Sequence, residues 1–104
     1  MIMHRLIECN LQKIRDLCQK YDVKFMYVFG SASTDEFIEA SDIDLLIDFR
    51  SGISIEKYTD NYFELHYQLE ELFNRKVDLV TENSIANPYL KESIDKTKKL
   101  LFAS

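Results

Sequence analysis

The chain has 104 residues, enough for one domain spanning 1–104 with a single modest core. Its 46% apolar and 30% charged content is that of an ordinary globule, which argues against a disordered or membrane protein. With 13 basic and 18 acidic residues the net charge is −5, which argues against non-specific nucleic-acid binding but leaves open a nucleotide held through a metal.

From Met3 to Tyr21, apolar residues fall at 3, 7, 11, 14, 18 and 21, the stripe of an amphipathic helix. Cys9 and Cys18 lie on opposite sides of that helix, about 13 Å apart along its axis, and cannot bridge. Two reduced cysteines suit the cytoplasm. Met1 to Leu11 carries His4, Arg5 and Glu8 without an apolar block, so no signal peptide is expected. No stretch is long and apolar enough to span a bilayer.

Phe25–Phe29 reads as a buried strand stopped by Gly30. Gly30-Ser31-Ala32-Ser33 suits a tight turn opening a short helix to about Ile38. Ile43–Phe49 reads as a central strand, ended by Arg50-Ser51-Gly52. Ser54 is a plausible N-cap for the next helix, with Glu56 in its first turn. That helix buries Ile55, Tyr58, Tyr62, Leu65, Leu69 and Leu72, spaced 3-4-3-4-3, and closes at Asn74-Arg75. Lys76–Val80 is a third strand, and Asn87-Pro88 starts a helix running to about Lys96. Lys99 to Ala103 reads as an edge strand rather than more helix. The order α-β-α-β-α-β-α-(β) predicts an α+β domain: one sheet with helices packed mainly on one face.

The central strand carries acids although acids are poor strand formers and costly to bury. Asp42 and Asp44 are two apart, so both point to one face, with Leu46 and Asp48 further along. Ile43, Leu45, Ile47 and Phe49 point the other way, into the helices. Asp78 has the same apolar surroundings in the third strand. If the two strands are neighbours, Asp78 joins Asp42 and Asp44. Three converging carboxylates make a hard-oxygen site suited to Mg²⁺, either one ion or a pair serving phosphoryl chemistry. Asp48 lies too far along the strand and reads as structural or surface. Gly30 lets a phosphate approach the backbone closely, Ser31 adds a hydroxyl, and a helix start there favours an anion.

Gly30-Ser31, ten residues, Asp42-x-Asp44 resembles the signature of the polymerase-beta-type nucleotidyltransferase superfamily. With Ser41–Ile47, Lys76–Val80 and the short length, nearly the whole chain is similar to the minimal nucleotidyltransferase (MNT) proteins of bacteria and archaea. The resemblance implies a palm-like mixed β-sheet flanked by helices, Mg²⁺ (two ions) and a nucleoside triphosphate, most often ATP. It implies that Asp42 and Asp44 bind metal. It gives Asp78 the catalytic metal and a part in taking the proton from the acceptor hydroxyl. Gly30 and Ser31 would hold the β/γ-phosphates. Family members commonly act as antitoxins of a HEPN-type toxin, and some transfer AMP to a tyrosine of that toxin. Many relatives follow Gly-Ser with a basic residue and an Arg-Gly. Here the run is Ala32-Ser33-Thr34-Asp35-Glu36, so a phosphate contact is either missing or supplied by Arg50, Lys57, Arg75 or Lys76.

His4 and His66 read as surface or helix-packing residues, and Tyr58 and Tyr62 as packing rather than base-stacking residues. Tyr67 shares their helix, and Lys96, Lys98 and Lys99 suit a solvated end. The motif fills the chain, so the acceptor or the wall of its site is expected from another protein or a second copy, in a homodimer or hetero-oligomer. Three functions stay open at this stage. They are AMP transfer to a partner's tyrosine, inhibition of the partner by contact with an idle site, and transfer to a small molecule such as an aminoglycoside.

Overall fold

A computed structural model describes residues 5–30 and 42–104 of the chain. The first helical stretch is divided into α1 (Arg5–Cys9) and α2 (Leu11–Lys20), where the periodicity predicts one helix. Asn10 explains the break. Its side-chain amide donates to Leu6 O (2.8 Å) and its backbone N–H to Ile7 O (3.1 Å), so a tight turn replaces the regular ladder. The remaining elements are β1 (Val23–Phe29), β2 (Ile43–Phe49), α3 (Ile55–Phe73), β3 (Val77–Thr81), α4 (Pro88–Thr97) and β4 (Lys99–Ala103). A short 3₁₀ turn, Glu82–Ser84, follows β3. The expected turn-helix from Ser31 to about Ile38 lies outside the described residues.

Several boundaries follow from local chemistry. Ser54 caps α3 by accepting from the Lys57 N–H at 3.1 Å, and Asn74 closes it in the left-handed conformation. Asn87 accepts from the Tyr89 N–H at 2.9 Å, with Pro88 as the first helical residue of α4. Gly52 and Asp22 both take positive φ at turns.

The sheet is mixed, in the order β3-β2-β1-β4. Strands β1 and β2 are antiparallel, β1 and β4 are antiparallel, and β2 and β3 are parallel. The parallel pair needs a crossover, which α3 supplies. The tail is a strand, as expected, and forms one edge beside β1. Alternation then divides the sheet into two faces. On one face Val23, Met26, Val28, Ile43, Leu45, Ile47, Val77 and Leu79 pack with Ile14, Cys18, Leu65, Leu69 and Phe73 of α2 and α3. On the other, Phe29, Leu46 and Ile94 form a smaller cluster. Thus α4 covers part of the second face, while α2 and α3 share the first.

The first face is the larger source of stability. Leu45, Ile47, Leu65 and Leu69 are wholly buried, and each side chain removed from water contributes about 1.5–3 kcal/mol. Asn61 is the buried polar side chain there, and its needs are met. Its amide donates to Tyr21 O and to Asp22 Oδ2, both at 3.0 Å, so α3 grips the α2–β1 turn. Lys57 Nζ adds an ion pair to Asp22 at 3.2 Å. Cys18 is buried and Cys9 exposed, and both are free. Burial alone pushes the Cys18 thiol up to about 12, so it packs as an inert apolar group.

Candidate active site

The site lies where β1 ends and β2 and β3 begin. Phe29 of β1 stands opposite Asp44 of β2, and Asp44 is the register partner of Asp78 in β3. Parallel neighbours in register share a face. The two carboxylates therefore occupy adjacent strands on the face away from α2 and α3. Asp42 is exposed and lies just before the first residue of β2. The backbone supports this corner on both sides: the Ile43 N–H donates to Lys76 O at 3.1 Å, locking the starts of β2 and β3 together.

Asp44 is the half-buried member of the group. Burial, then the charges of Asp78 and Asp42, raise its carboxyl to about 6. The charges of both other acids thus reach Asp44. Among the described residues, no three His, Cys, Asp or Glu side chains form a group that could hold a metal ion by themselves. Mg²⁺ usually takes one or two protein carboxylates and completes its octahedron with waters and substrate phosphates. The Asp44–Asp78 pair is a hard-oxygen donor set of that kind, and it fits such an ion in company with a nucleotide.

Gly30 closes the corner. It has φ +70°, and a Cβ there would stand 2.6 Å from Asp44 Oδ2. Glycine is needed for both reasons, backbone conformation and space. The Gly30 N–H donates to Thr97 Oγ1 at 3.1 Å. Thr97 in turn donates to Ser93 O at 3.3 Å within α4. The end of α4 therefore anchors the glycine turn. A contact over 67 residues left no trace in local sequence pattern. Ser31 lies outside the described residues.

The four candidate cations divide between the two ends of the sheet. Lys57 pairs with Asp22, and the Arg50 N–H donates to Asp22 O at 2.8 Å, so both sit at the start of β1, the far end from Gly30. Arg75 and Lys76 immediately precede β3 and Asp78, at the acidic corner. Both also line a surface pocket with Glu70, Glu71 and Asn74 at the end of α3.

Residues 12–104 match the family model described as "Polymerase beta, Nucleotidyltransferase". A Methanocaldococcus jannaschii protein, provisionally named a protein adenylyltransferase, is 47% identical over 81 residues, covering 78% of this chain and 79% of its own. The protein adenylyltransferase MntA of Thermococcus cleftensis is 37% identical over 83 residues, covering 80% of this chain and 75% of its own. Among solved structures, a toxin–antitoxin with AMP-PNP superposes with a TM-score of 0.71 at 26% identity, covering 91% of this chain and 74% of that one. A mixed sheet with paired aspartates at a glycine corner, and a family match over all but the first eleven residues, have one consequence: the chain belongs to the polymerase beta nucleotidyltransferase family.

Proposed function

We propose that this chain is a Mg²⁺-dependent adenylyltransferase that moves AMP from ATP to a tyrosine hydroxyl of a partner HEPN-type toxin, and so serves as its antitoxin. The observation that carries the reading is the cross-strand pair Asp44–Asp78, set against a glycine whose missing side chain leaves room beside Asp44. The similarity to an MntA adenylyltransferase and to a toxin–antitoxin with AMP-PNP supports ATP and a toxin partner.

In this reading Asp44 and Asp78, assisted by Asp42, hold the metal-bound triphosphate. Held there as one or two ions, Mg²⁺ would supply charge to offset the phosphates and to orient the oxygens. Gly30 and Ser31 are assigned to the β/γ-phosphates, and Arg75 and Lys76 precede Asp78 in the chain. Asp78, exposed on its strand face, accepts the proton of the attacking hydroxyl. The acceptor oxygen bonds to the α-phosphorus as the bond to the bridging oxygen breaks, and pyrophosphate leaves. Catalysis is then mainly positioning and electrostatics.

The test is incubation of the chain and its HEPN-type partner with α-labelled ATP and Mg²⁺. Label on a partner tyrosine is expected from the wild type, and none from the Asp42→Asn, Asp44→Asn double variant. Label transferred by the folded double variant would refute the role of the carboxylates.

A further inference from the structure

Among the described residues, strand β3 is an edge strand, with β2 on one side only. In register with β2, Lys76 and Asp78 turn their backbone groups inward, while Val77, Leu79 and Thr81 turn theirs outward. Unpaired edge groups normally face water or another strand. Here α3 supplies partners for three of these groups. Glu70 Oε2 accepts from the Val77 N–H at 3.0 Å, and His66 Nε2 donates to Val77 O at 2.8 Å. The Tyr62 hydroxyl donates to Leu79 O. Because a carbonyl only accepts, the hydrogen of His66 sits on Nε2.

Residues 62, 66 and 70 are spaced by four, so they form one stripe on α3 aligned with the strand. The stripe is internally braced. The Tyr62 and His66 rings stack at 6.4 Å with a 10° interplanar angle, and His66 Nε2 is 3.4 Å from Glu70 Oε2. Burial and the charge of Asp78 raise the Tyr62 hydroxyl, which keeps it protonated as a donor. The backbone bonds bracket Asp78, since two fall on the residue before it and one on the residue after.

We infer that Tyr62, His66 and Glu70 are positioning residues which, by gripping the outer edge of β3 on either side of Asp78, hold its carboxylate opposite Asp44. The stripe touches no reacting atom. It acts through the strand backbone, and the inference rests on the reading that Asp78 helps to hold the metal-bound nucleotide. Neighbours that orient metal-binding groups typically change affinity by about 10–100-fold when removed.

The experiment is calorimetric titration of the full chain with a non-hydrolysable ATP analogue, AMP-PNP, at fixed Mg²⁺, with a melting temperature for every variant. Tyr62→Phe and His66→Ala should each weaken Mg²⁺-dependent binding by about tenfold. His66→Gln, whose amide can donate to Val77 O, should recover to within about threefold of wild type. Ile14→Val, a core change in α2, controls for stability and should leave binding unchanged at a comparable loss of melting temperature. Wild-type affinity in both Tyr62→Phe and His66→Ala would overturn the inference, as would an equal loss in Ile14→Val. Asp78→Asn separates the levels. If it binds like wild type, the reading of the site fails and takes the inference with it. If it binds weakly while the stripe variants do not, the inference alone fails.

Discussion

On one face of β2, Ile43, Leu45, Ile47 and Phe49 are buried against α2 and α3; on the other, Asp44 and Asp48 alternate with Leu46. Neighbouring residues of one strand therefore do opposite things for the fold. The apolar set gains free energy from burial at every position. Asp44 loses it, because a carboxylate half out of water beside Asp78 is held at about 6 instead of its ordinary 3.8. A strand optimised for stability alone would carry a neutral group at 44. The difference between the faces marks where the chain gives up stability for a site that holds charge.

Breaking the apolar face should have the largest effect on stability. Leu45→Ala, at a wholly buried position, is expected to cost about 3 kcal/mol, read as a lower denaturation midpoint with an unchanged slope. A loss below about 1 kcal/mol would mean that this face is not the main core. Next comes the corner where the faces meet. Gly30→Ala combines a left-handed φ with a clash against Asp44, and should cost about 2 kcal/mol. The same variant should weaken Mg²⁺–AMP-PNP binding, because the carboxylate must move aside. Unaltered stability and binding would show that Gly30 is only a turn residue.

The acidic face gives the smallest effect on stability, of opposite sign. The folded-state pKa of Asp44 lies above the unfolded one, so the folded chain retains a proton that the unfolded chain has released between pH 3.8 and about 6. Stability attributable to Asp44 therefore falls as pH rises through that window and stays low above it. Asp44→Asn should be neutral near pH 3.5. Above pH 6 it should gain about 1 kcal/mol, after discounting for the solvated half of the group. Melting curves in EDTA across pH 3.5–8 check this, and a pH-independent difference would contradict it.

Much of this plan was legible in the chain. The alternation Ile43–Asp44–Leu45 placed the two faces correctly, and Ser54 and Asn87-Pro88 marked helix starts by their capping chemistry. The carboxylate partner Asp78 could be picked out because an acid amid Val77, Leu79 and Val80 violates strand preference. Its pairing with Asp44 depended on strand order, which no local pattern encodes. The periodicity of residues 3–21 ran through Asn10, since a side chain competing for a backbone carbonyl does not disturb apolar spacing. The position of α4 on the second face is set by the small cluster around Ile94, too few residues to show as a stripe. Thr97 escaped notice because its role is to accept a bond from a glycine on another element. Lys57 and Arg50 were indistinguishable in sequence from Arg75 and Lys76, and only the fold separates them by the length of β1.

The most direct test of the carboxylate site is equilibrium binding of AMP-PNP to the wild-type chain and to Asp44→Asn, each with Mg²⁺ and with EDTA. Saturable binding is predicted for the wild type with Mg²⁺ alone, with loss in EDTA and in the variant. Equal binding under all four conditions would contradict the account.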